Sequence, residues 1–140
     1  MKEVDMSKDG MILKNEAYDA AQKGDLKKAV ELYEKASALL PDDAETYYNL
    51  GVAYGELALE DVAREELWED KTDEEDYFEN AIKNYLKATE LKPDNIHAWN
   101  NLGILYKALD WDDKAAEAFE RSLKIDPDQK DIMELLNELK

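Results

Sequence analysis

The sequence has no cysteine, a single histidine, five glycines and three prolines among its 140 residues. Without cysteine there can be no disulfide, thiol nucleophile or thiolate metal site, which fits a reducing compartment. No run of about eighteen apolar residues occurs, and the segment from Met1 to Gly10 lacks the apolar stretch of a signal peptide. We therefore expect a cytoplasmic protein that neither crosses nor binds a membrane.

Basic residues are also scarce, since Lys and Arg number 18 against 35 Asp and Glu, giving a net charge of −17. This charge opposes binding to nucleic acid and to anionic membrane surfaces through long-range repulsion. A protein or peptide partner that is neutral or basic is therefore expected. The length and the 44% share of hydrophobic residues fit a single domain over residues 1–140.

A repeated string, Ala-x3-aromatic-x2-small-x4-Pro, organises the chain. Its three copies are Ala29-Tyr33-Ala36-Pro41, Ala81-Tyr85-Ala88-Pro93 and Ala115-Phe119-Ser122-Pro127. A small residue precedes each copy by 12, 30 and 12 residues, namely Ala17, Gly51 and Gly103. The middle copy therefore carries 18 additional residues near positions 58–77.

These residue types predict pairs of antiparallel helices. A glycine lets a neighbouring helix approach closely, and a proline ends the second helix of each pair because it lacks an N–H group. Four acidic residues are placed to cap helix starts: Asp25, Asp42 with Glu45 three residues later, Asp94 and Asp112. A final apolar stripe, Ile132, Leu135, Leu136 and Leu139, predicts a capping helix over residues 130–140 and seven helices in total.

The strings Tyr47-x2-Leu50-Gly51-x2-Tyr54 and Trp99-x2-Leu102-Gly103-x2-Tyr106 closely resemble the tetratricopeptide-repeat family, over roughly residues 10 to 129. The resemblance implies an all-α fold, a right-handed superhelix of antiparallel helix hairpins. The repeats would span residues 10–43, 44–95 and 96–129. It also implies a module that binds a peptide or protein segment in its concave groove.

The additional residues of the second repeat contain neither glycine nor proline. We therefore expect both helices of this hairpin to lengthen by about nine residues, roughly 13 Å each, with a turn near residues 69–73. Thr72 with Glu75 resembles a capping box for the second helix. Trp68 and Tyr77 would then meet across the elongated hairpin.

Residues 60–79 hold eleven acidic and two basic side chains. The simplest interpretation is a solvated, self-repelling surface. A second interpretation is a docking arm through which the chain self-associates or acts as a structural scaffold subunit, with Trp68, Tyr77 and Phe78 as the hairpin interface. Calcium binding is not expected, because Asp70, Asp73 and Asp76 lack the glycine and glutamate spacing of an EF-hand loop.

In a stack of hairpins the first helices line the concave side, so residues beside their core stripe face a groove. The predicted groove residues are Lys14, Tyr18, Tyr48, Asn49, Val52, His97, Asn100, Asn101, Ile104 and Lys107. Lys14, Lys107 and His97 would offset Glu45 and Glu56, leaving a nearly neutral strip in which asparagines can hydrogen-bond a peptide backbone. The alternative is an ordinary surface on a spacer.

Some tetratricopeptide proteins grip the acidic C-terminus of chaperones with a clamp of lysines, asparagines and an arginine, and the resemblance carries over only in part. Lys14 and Asn49 match the clamp positions. Tyr18 stands where an asparagine would be expected, His97 where a lysine would, and Asn101 where an arginine would. Chaperone-tail binding is therefore disfavoured, since a carboxylate in a partly desolvated groove needs charged partners.

Catalysis is not expected, because the sequence offers no nucleophile and base pair, no glycine-rich phosphate loop and no metal-ligand spacing. No cofactor and no metal are predicted. A designed scaffold without a natural partner is a further alternative, against which the irregular Ser122 and the degenerate first repeat, with Ala17 and Ala20, argue.

Overall fold

The computed structural model describes residues 6–65 and 76–140, and for residues 61–65 it describes the backbone only. These ranges contain helices and no strand. The helices are α1 (Met6–Gln22), α2 (Leu26–Leu39), α3 (Ala44–Glu65), α4 (Tyr77–Leu91), α5 (Ile96–Ala108), α6 (Asp112–Ile125) and α7 (Lys130–Glu138). The all-α prediction is confirmed.

Consecutive helices pair into three hairpins, α1 with α2, α3 with α4 and α5 with α6, and each hairpin packs on the next. Helix α7 packs against α6 and covers that end of the stack with Ile132 and Leu136, which are buried. A single cluster of buried apolar residues runs from Ala17 through every hairpin to Leu136. The chain is therefore a solenoid of stacked helix hairpins.

Each proline follows a helix end, as the repeated string predicts. The residue before each proline donates its backbone N–H to a carbonyl in the last turn: Leu40 to Ala36, Lys92 to Ala88 and Asp126 to Ser122. A proline then prevents further helical hydrogen bonding. The second helix of every hairpin stops at the same position of the repeat for this reason.

The helix starts agree less well with the predicted caps. Asp25 is confirmed, because its carboxylate accepts the backbone N–H of Lys28 at 3.2 Å. Asp42 is wrong as the cap of α3, since Asp43 directly precedes the helix and accepts the Thr46 hydroxyl. Helix α3 begins one residue later than the sequence pattern indicates, so the side chain of Asp43 and not that of Asp42 reaches its first turn.

The predicted caps of the third hairpin are also displaced by one residue, in opposite directions for its two helices. Asn95, and not Asp94, caps α5 by accepting the backbone N–H of Ala98 at 3.1 Å. Helix α6 begins at Asp112 itself, and Trp111 before it makes no side-chain capping bond. Asp112 therefore lies inside the first turn, where its negative charge interacts favourably with the helix dipole.

Only the first helix of the second hairpin is elongated among the described residues. Helix α3 has 22 residues against 13 in α5, whereas α4 has 15 against 14 in α6. The expected lengthening of both helices is therefore wrong for α4, because Asp76 caps it and its helical residues start at Tyr77. The predicted turn and the Thr72 cap lie outside the described residues.

Close contact between a glycine and an aromatic ring joins the two helices of a hairpin. A Cβ atom added to Gly51 would lie 2.8 Å from two ring carbons of Tyr85, and one added to Gly103 would lie 2.6 Å from Cδ1 of Phe119. Both distances are shorter than carbon atoms tolerate. Any larger residue at Gly51 or Gly103 therefore forces the paired helices apart.

Replacing Gly51 by Ala is expected to destabilise the protein by about 1–3 kcal/mol through overpacking against Tyr85. Gly55, one turn along α3, provides the matched control, because its added Cβ would meet only the Tyr85 hydroxyl at 3.9 Å. G55A is expected to stabilise the helix by about 0.5–1 kcal/mol. Urea unfolding of both variants measures the difference, and equal effects of the same sign would contradict the packing argument.

Candidate peptide-binding groove

The predicted groove residues lie on α1, α3 and α5, the first helices of the three hairpins. Tyr18 and Ile104 are the most open apolar members, with 53% and 48% of their surface exposed. Tyr48 and Val52 are half-buried on α3, and His97 is exposed in the first turn of α5. The first helices thus present apolar surface that the described residues leave exposed.

Lys14 does not offer an open charge, contrary to the prediction. It is buried, with 8% exposure, and its Nζ atom lies 2.9 Å from Asp43 and 3.4 Å from Glu45. Burial alone would lower the Lys14 pKa, but hydrogen bonds and charge from these two carboxylates outweigh it and raise the pKa. Lys14 therefore connects α1 to the start of α3, and its ammonium group is already paired within the chain.

Asp43 holds the other side of this contact. Burial raises the pKa of its carboxyl group, but hydrogen bonds from Lys14 and Thr46 outweigh that effect, so the pKa lies below its ordinary value. The carboxylate therefore stays ionised and serves both the ion pair and the helix start.

Asn100 occupies the position in α5 that Lys14 occupies in α1, three residues before the small residue of the repeat. Its amide donates to Oε1 of Gln129 at 2.9 Å, across the junction to α7. Its own Oδ1 is enclosed and accepts no hydrogen bond within the described part of the chain. Asn100 is therefore part of a hairpin junction, and one of its amide hydrogens is already donated to Gln129.

Lys107 is also engaged. Its Nζ atom lies 2.7 Å from Oε2 of Glu138 on α7. Lys14 and Lys107 are thus both paired with carboxylates of the chain. The groove strip therefore has less free positive charge than the prediction of an even balance with Glu45 and Glu56 assumed. Glu56 is exposed, and the structure shows it in no ion pair with another described residue.

Tyr85 brings a buried hydroxyl group to the same side of the second hairpin. The hydroxyl accepts a hydrogen bond from Nδ2 of Asn101 at 3.2 Å, and the ring centroid lies 5.9 Å from that of Tyr48. Burial, with the nearby hydroxyl of Tyr48 adding to it, raises the Tyr85 pKa well above its ordinary value. Asn101 is thus held in place and presents its remaining polar atoms from a fixed position.

Tyr33 repeats this arrangement one hairpin earlier. Burial raises the pKa of Tyr33 to about 12, the Glu45 charge adds to the rise, and a hydrogen bond with Asn49 opposes it. Tyr18 lies near enough to influence the same hydroxyl. Two tyrosine and asparagine pairs, Tyr33 with Asn49 and Tyr85 with Asn101, therefore occur at equivalent positions of successive repeats.

The sequence pattern identified Tyr33 and Tyr85 only as members of the repeated string, and it did not single out Asp43 or Gln129. A signal for the junctions was present, because Lys14 precedes Asp43 by 29 residues and Asn100 precedes Gln129 by the same interval. The tyrosine hydroxyls carried a signal as well, since the third copy of the string has Phe119 where the others have Tyr.

The proposed hairpin interface is described only in part. Tyr77 and Phe78 are half-buried at the start of α4, and both pack against the chain's own core. The ring centroid of Tyr77 lies 6.2 Å from that of Tyr54. Trp68 and its expected contact with Tyr77 lie outside the described residues.

The described residues form neither a metal-binding cluster nor a membrane-spanning helix. Among the described side chains, those of residues 6–60 and 76–140, no group of three or more histidine, aspartate or glutamate residues is arranged to hold a metal ion. None of the helices in the same ranges combines the length and the apolar character needed to cross a bilayer.

Comparison with known families identifies the repeat. The profile described as TPR repeat matches residues 18–57 and 76–110, and the one described as tetratricopeptide repeat matches residues 96–129. The chain belongs to the tetratricopeptide-repeat family. A curated member, the BBSome complex member BBS4 of Bos taurus, is 32% identical over 123 residues, covering 74% of this chain. This TPR chain spans only 23% of that relative's length.

Solved TPR structures share the fold at low sequence identity. The Arabidopsis OM64 TPR domain superposes with a TM-score of 0.77 at 21% identity, covering 96% of this chain and 97% of its own. The first TPR of Spaghetti (RPAP3), bound to an HSP90 peptide, gives 0.76 at 20% identity, with 95% and 91% covered. The second TPR domain of human RPAP3, in complex with an HSP70 peptide, gives 0.72 at 20%, with 91% of each covered.

Replacing Lys14 by Met keeps the apolar stem but removes the charge that bonds Asp43. We expect a loss of about 1.5–3 kcal/mol in unfolding free energy near pH 7, because hydrogen bonds to charged groups contribute about that much. K35M is the control: Lys35 pairs with Glu31 at 3.4 Å on an exposed surface. Its loss is expected to stay within about 0.5 kcal/mol.

The effect of K14M also depends on pH in a defined direction. The folded-state pKa of Asp43 lies below its ordinary value of 3.8. The stabilisation is therefore present above pH 3.8 and is lost as the pH falls through the folded-state pKa. The stability gap between wild type and K14M should shrink in that acidic range. A gap that persists unchanged at pH 2 would show that the ion pair is not its source.

Proposed function

We propose that this TPR chain is a protein–protein interaction module that binds an extended peptide segment along α1, α3 and α5. The observation that carries the proposal is the exposed apolar surface of Tyr18 and Ile104 beside Asn49 and Asn101. Exposed apolar side chains favour association, and fixed amide groups can hydrogen-bond a peptide backbone. The fold shared with TPR domains that are solved with peptides supports this function.

The partner is proposed to be neutral or basic. The peptides in the two related complexes, SRMEEVD and SGPTIEEVD, are both acidic at their C-terminal ends. A groove for such an end needs free cations, yet Lys14 and Lys107 are paired with the chain's own carboxylates. The net charge of −17 adds a general repulsion of acidic ligands.

Docking through the second hairpin is the alternative, and one observation on the outer side favours it. An apolar depression of about 590 Å³ lies along α4, lined among others by Tyr47, Ile82 and Leu86. Leu86 is 43% exposed there. Tyr77 and Phe78 contribute little to such a surface, since both pack on the core.

Two matched substitutions separate these proposals. I104D places a charge on the exposed apolar residue of the proposed groove, and L86D does the same on the outer side of α4. Peptides selected from a random twelve-residue display library are expected to lose at least tenfold in affinity for I104D, because a charge must be desolvated in the complex. L86D is expected to bind as wild type does, as measured by fluorescence anisotropy.

The opposite pattern, with binding lost in L86D and retained in I104D, would reject the groove and favour the outer side of α4. Far-UV circular dichroism of both variants checks that each remains folded. Because both residues are exposed, neither substitution should disturb the core.

The charge preference has its own test. A fluorescent SRMEEVD peptide is expected to bind at least tenfold more weakly than the library-selected peptides, and adding salt should not weaken a contact that lacks free cations. Anisotropy titrations at low and moderate ionic strength measure both effects. Tight binding of SRMEEVD that weakens with salt would contradict the proposal of a neutral or basic partner.

A further inference from the structure

One face of α3 combines an aromatic ring, an aliphatic side chain and a carboxylate in a single row. Tyr48, Val52 and Glu56 follow one another at four-residue intervals, so they lie on the same side of the helix with about 6 Å from one to the next. Tyr48 and Val52 are half-buried and Glu56 is exposed. The row thus changes from apolar to anionic along its length.

The Tyr85 hydroxyl and the Asn101 amide lie beside this row. The Tyr85 hydroxyl accepts the amide of Asn101, and the Tyr85 ring packs against Tyr48. Gly55 has no side chain, and a Cβ added there would lie 3.9 Å from the Tyr85 hydroxyl. The glycine therefore leaves space beside that hydroxyl. The Tyr85 hydroxyl and the rings of Tyr48 and Tyr85 therefore lie together beside the row.

The electrostatic character of this region is negative. Burial is the largest cause of the raised Tyr85 pKa, and the Glu56 charge adds to the rise while the hydrogen bond from Asn101 opposes it. The Glu56 charge therefore reaches the hydroxyl. No lysine or arginine of residues 6–60 or 76–140 forms an ion pair with Glu56.

We propose that Tyr48, Val52 and Glu56 form a subsite for a lysine or arginine side chain of the bound segment. The subsite rests on the proposed peptide-binding function and specifies one feature of its ligand. The aliphatic stem of the guest lies along Tyr48 and Val52, and its charged head meets the exposed Glu56 carboxylate.

A neutral guest would satisfy this region less well. An apolar side chain leaves the Glu56 carboxylate without a charged partner, and an acidic one is repelled by it. A cation is also the guest that the tyrosine faces favour, because their π-electron density is negative. The equivalent positions of α5, Asn100, Ile104 and Ala108, contain no carboxylate, so the subsite belongs to the second repeat alone.

The first test needs no knowledge of the natural partner. N-butylguanidinium chloride, which copies an arginine side chain, is titrated into isotope-labelled protein, with neutral N-butylurea as a shape-matched probe at the same ionic strength. We expect saturable shifts of the Val52, Glu56 and Asn101 amide signals with the guanidinium. The urea should bind about 3- to 5-fold more weakly, as expected for the loss of an exposed ion pair.

Substitutions assign the effect to the named residues. E56Q is expected to weaken N-butylguanidinium by about 3- to 5-fold and to bring it level with the urea. E120Q removes the same charge from the exposed surface of α6 and is expected to change the affinity by less than about twofold, because salt screens a distant charge. Equal affinities of the two probes for wild type, or equal responses of E56Q and E120Q, would overturn the subsite.

A second experiment distinguishes failure of the subsite from failure of the peptide-binding function. A random twelve-residue display library is selected against wild type and against E56Q, and the peptides recovered are compared. Enrichment of lysine or arginine at one position with wild type, lost with E56Q, supports both inferences. Groove-binding peptides without such enrichment would overturn the subsite and leave the function standing. Recovery of no groove-binding peptide, with the guanidinium still bound at Glu56, would reject the function alone.

Discussion

The contact between a glycine on one helix and an aromatic ring on the next is the constraint from which the rest of this structure follows. Gly51 against Tyr85 and Gly103 against Phe119 set how close the two helices of a hairpin lie. The same contact also fixes the position of the far end of each ring. In the second repeat the ring carries a hydroxyl that receives Asn101, so a packing residue also orders a polar group beside the proposed groove. Phe119 packs without a hydroxyl, and the third repeat uses Asn100 and Gln129 for its polar contact instead.

The acidic excess of the chain is distributed with consequences for recognition. Where a cation lies next to the proposed groove, a carboxylate of the chain itself neutralises it, as Asp43 does for Lys14 and Glu138 does for Lys107. Glu56 has no such partner among the described residues. A ligand therefore meets hydrogen-bonding groups, apolar surface and residual negative charge, which is the reverse of the surface that an acidic peptide end requires.

Much of the fold could be predicted from the sequence, because the residues that define it act locally. A proline ends a helix wherever it occurs, and a glycine in a helical pattern signals close packing, so Pro41 and Gly51 were informative by themselves. The positions of helix starts were predicted only to within one residue. Asp42 and Asp43 are equally able to cap a helix, and only the backbone path selects Asp43. The unequal lengths of α3 and α4 followed from the cap at Asp76, which the even distribution of helix-forming residues did not reveal.

The proposed groove was harder to predict for a physical reason. Helical spacing gives the side of a helix on which a residue lies to within a broad angle, and neighbouring elements decide whether that side is open. Tyr18 and Ile104 are exposed as expected, but Lys14 and Asn100 lie a few tens of degrees away and meet the next hairpin. Their partners are 29 residues distant, so no local pattern discloses the contact.

These junction residues also encode the order of the repeats. An ammonium group meets a carboxylate where the first hairpin joins the second, and one neutral amide meets another where the last hairpin joins α7. In the middle, the equivalent positions of the repeat are occupied by Tyr48 and Asn95. A hairpin moved to another place in the chain would place an ammonium group next to a neutral amide. Alternatively, it would leave a carboxylate without a charged partner. Shuffled versions of this protein would share its helices and lose its specific joints, so the three hairpins, alike in outline, are not interchangeable parts.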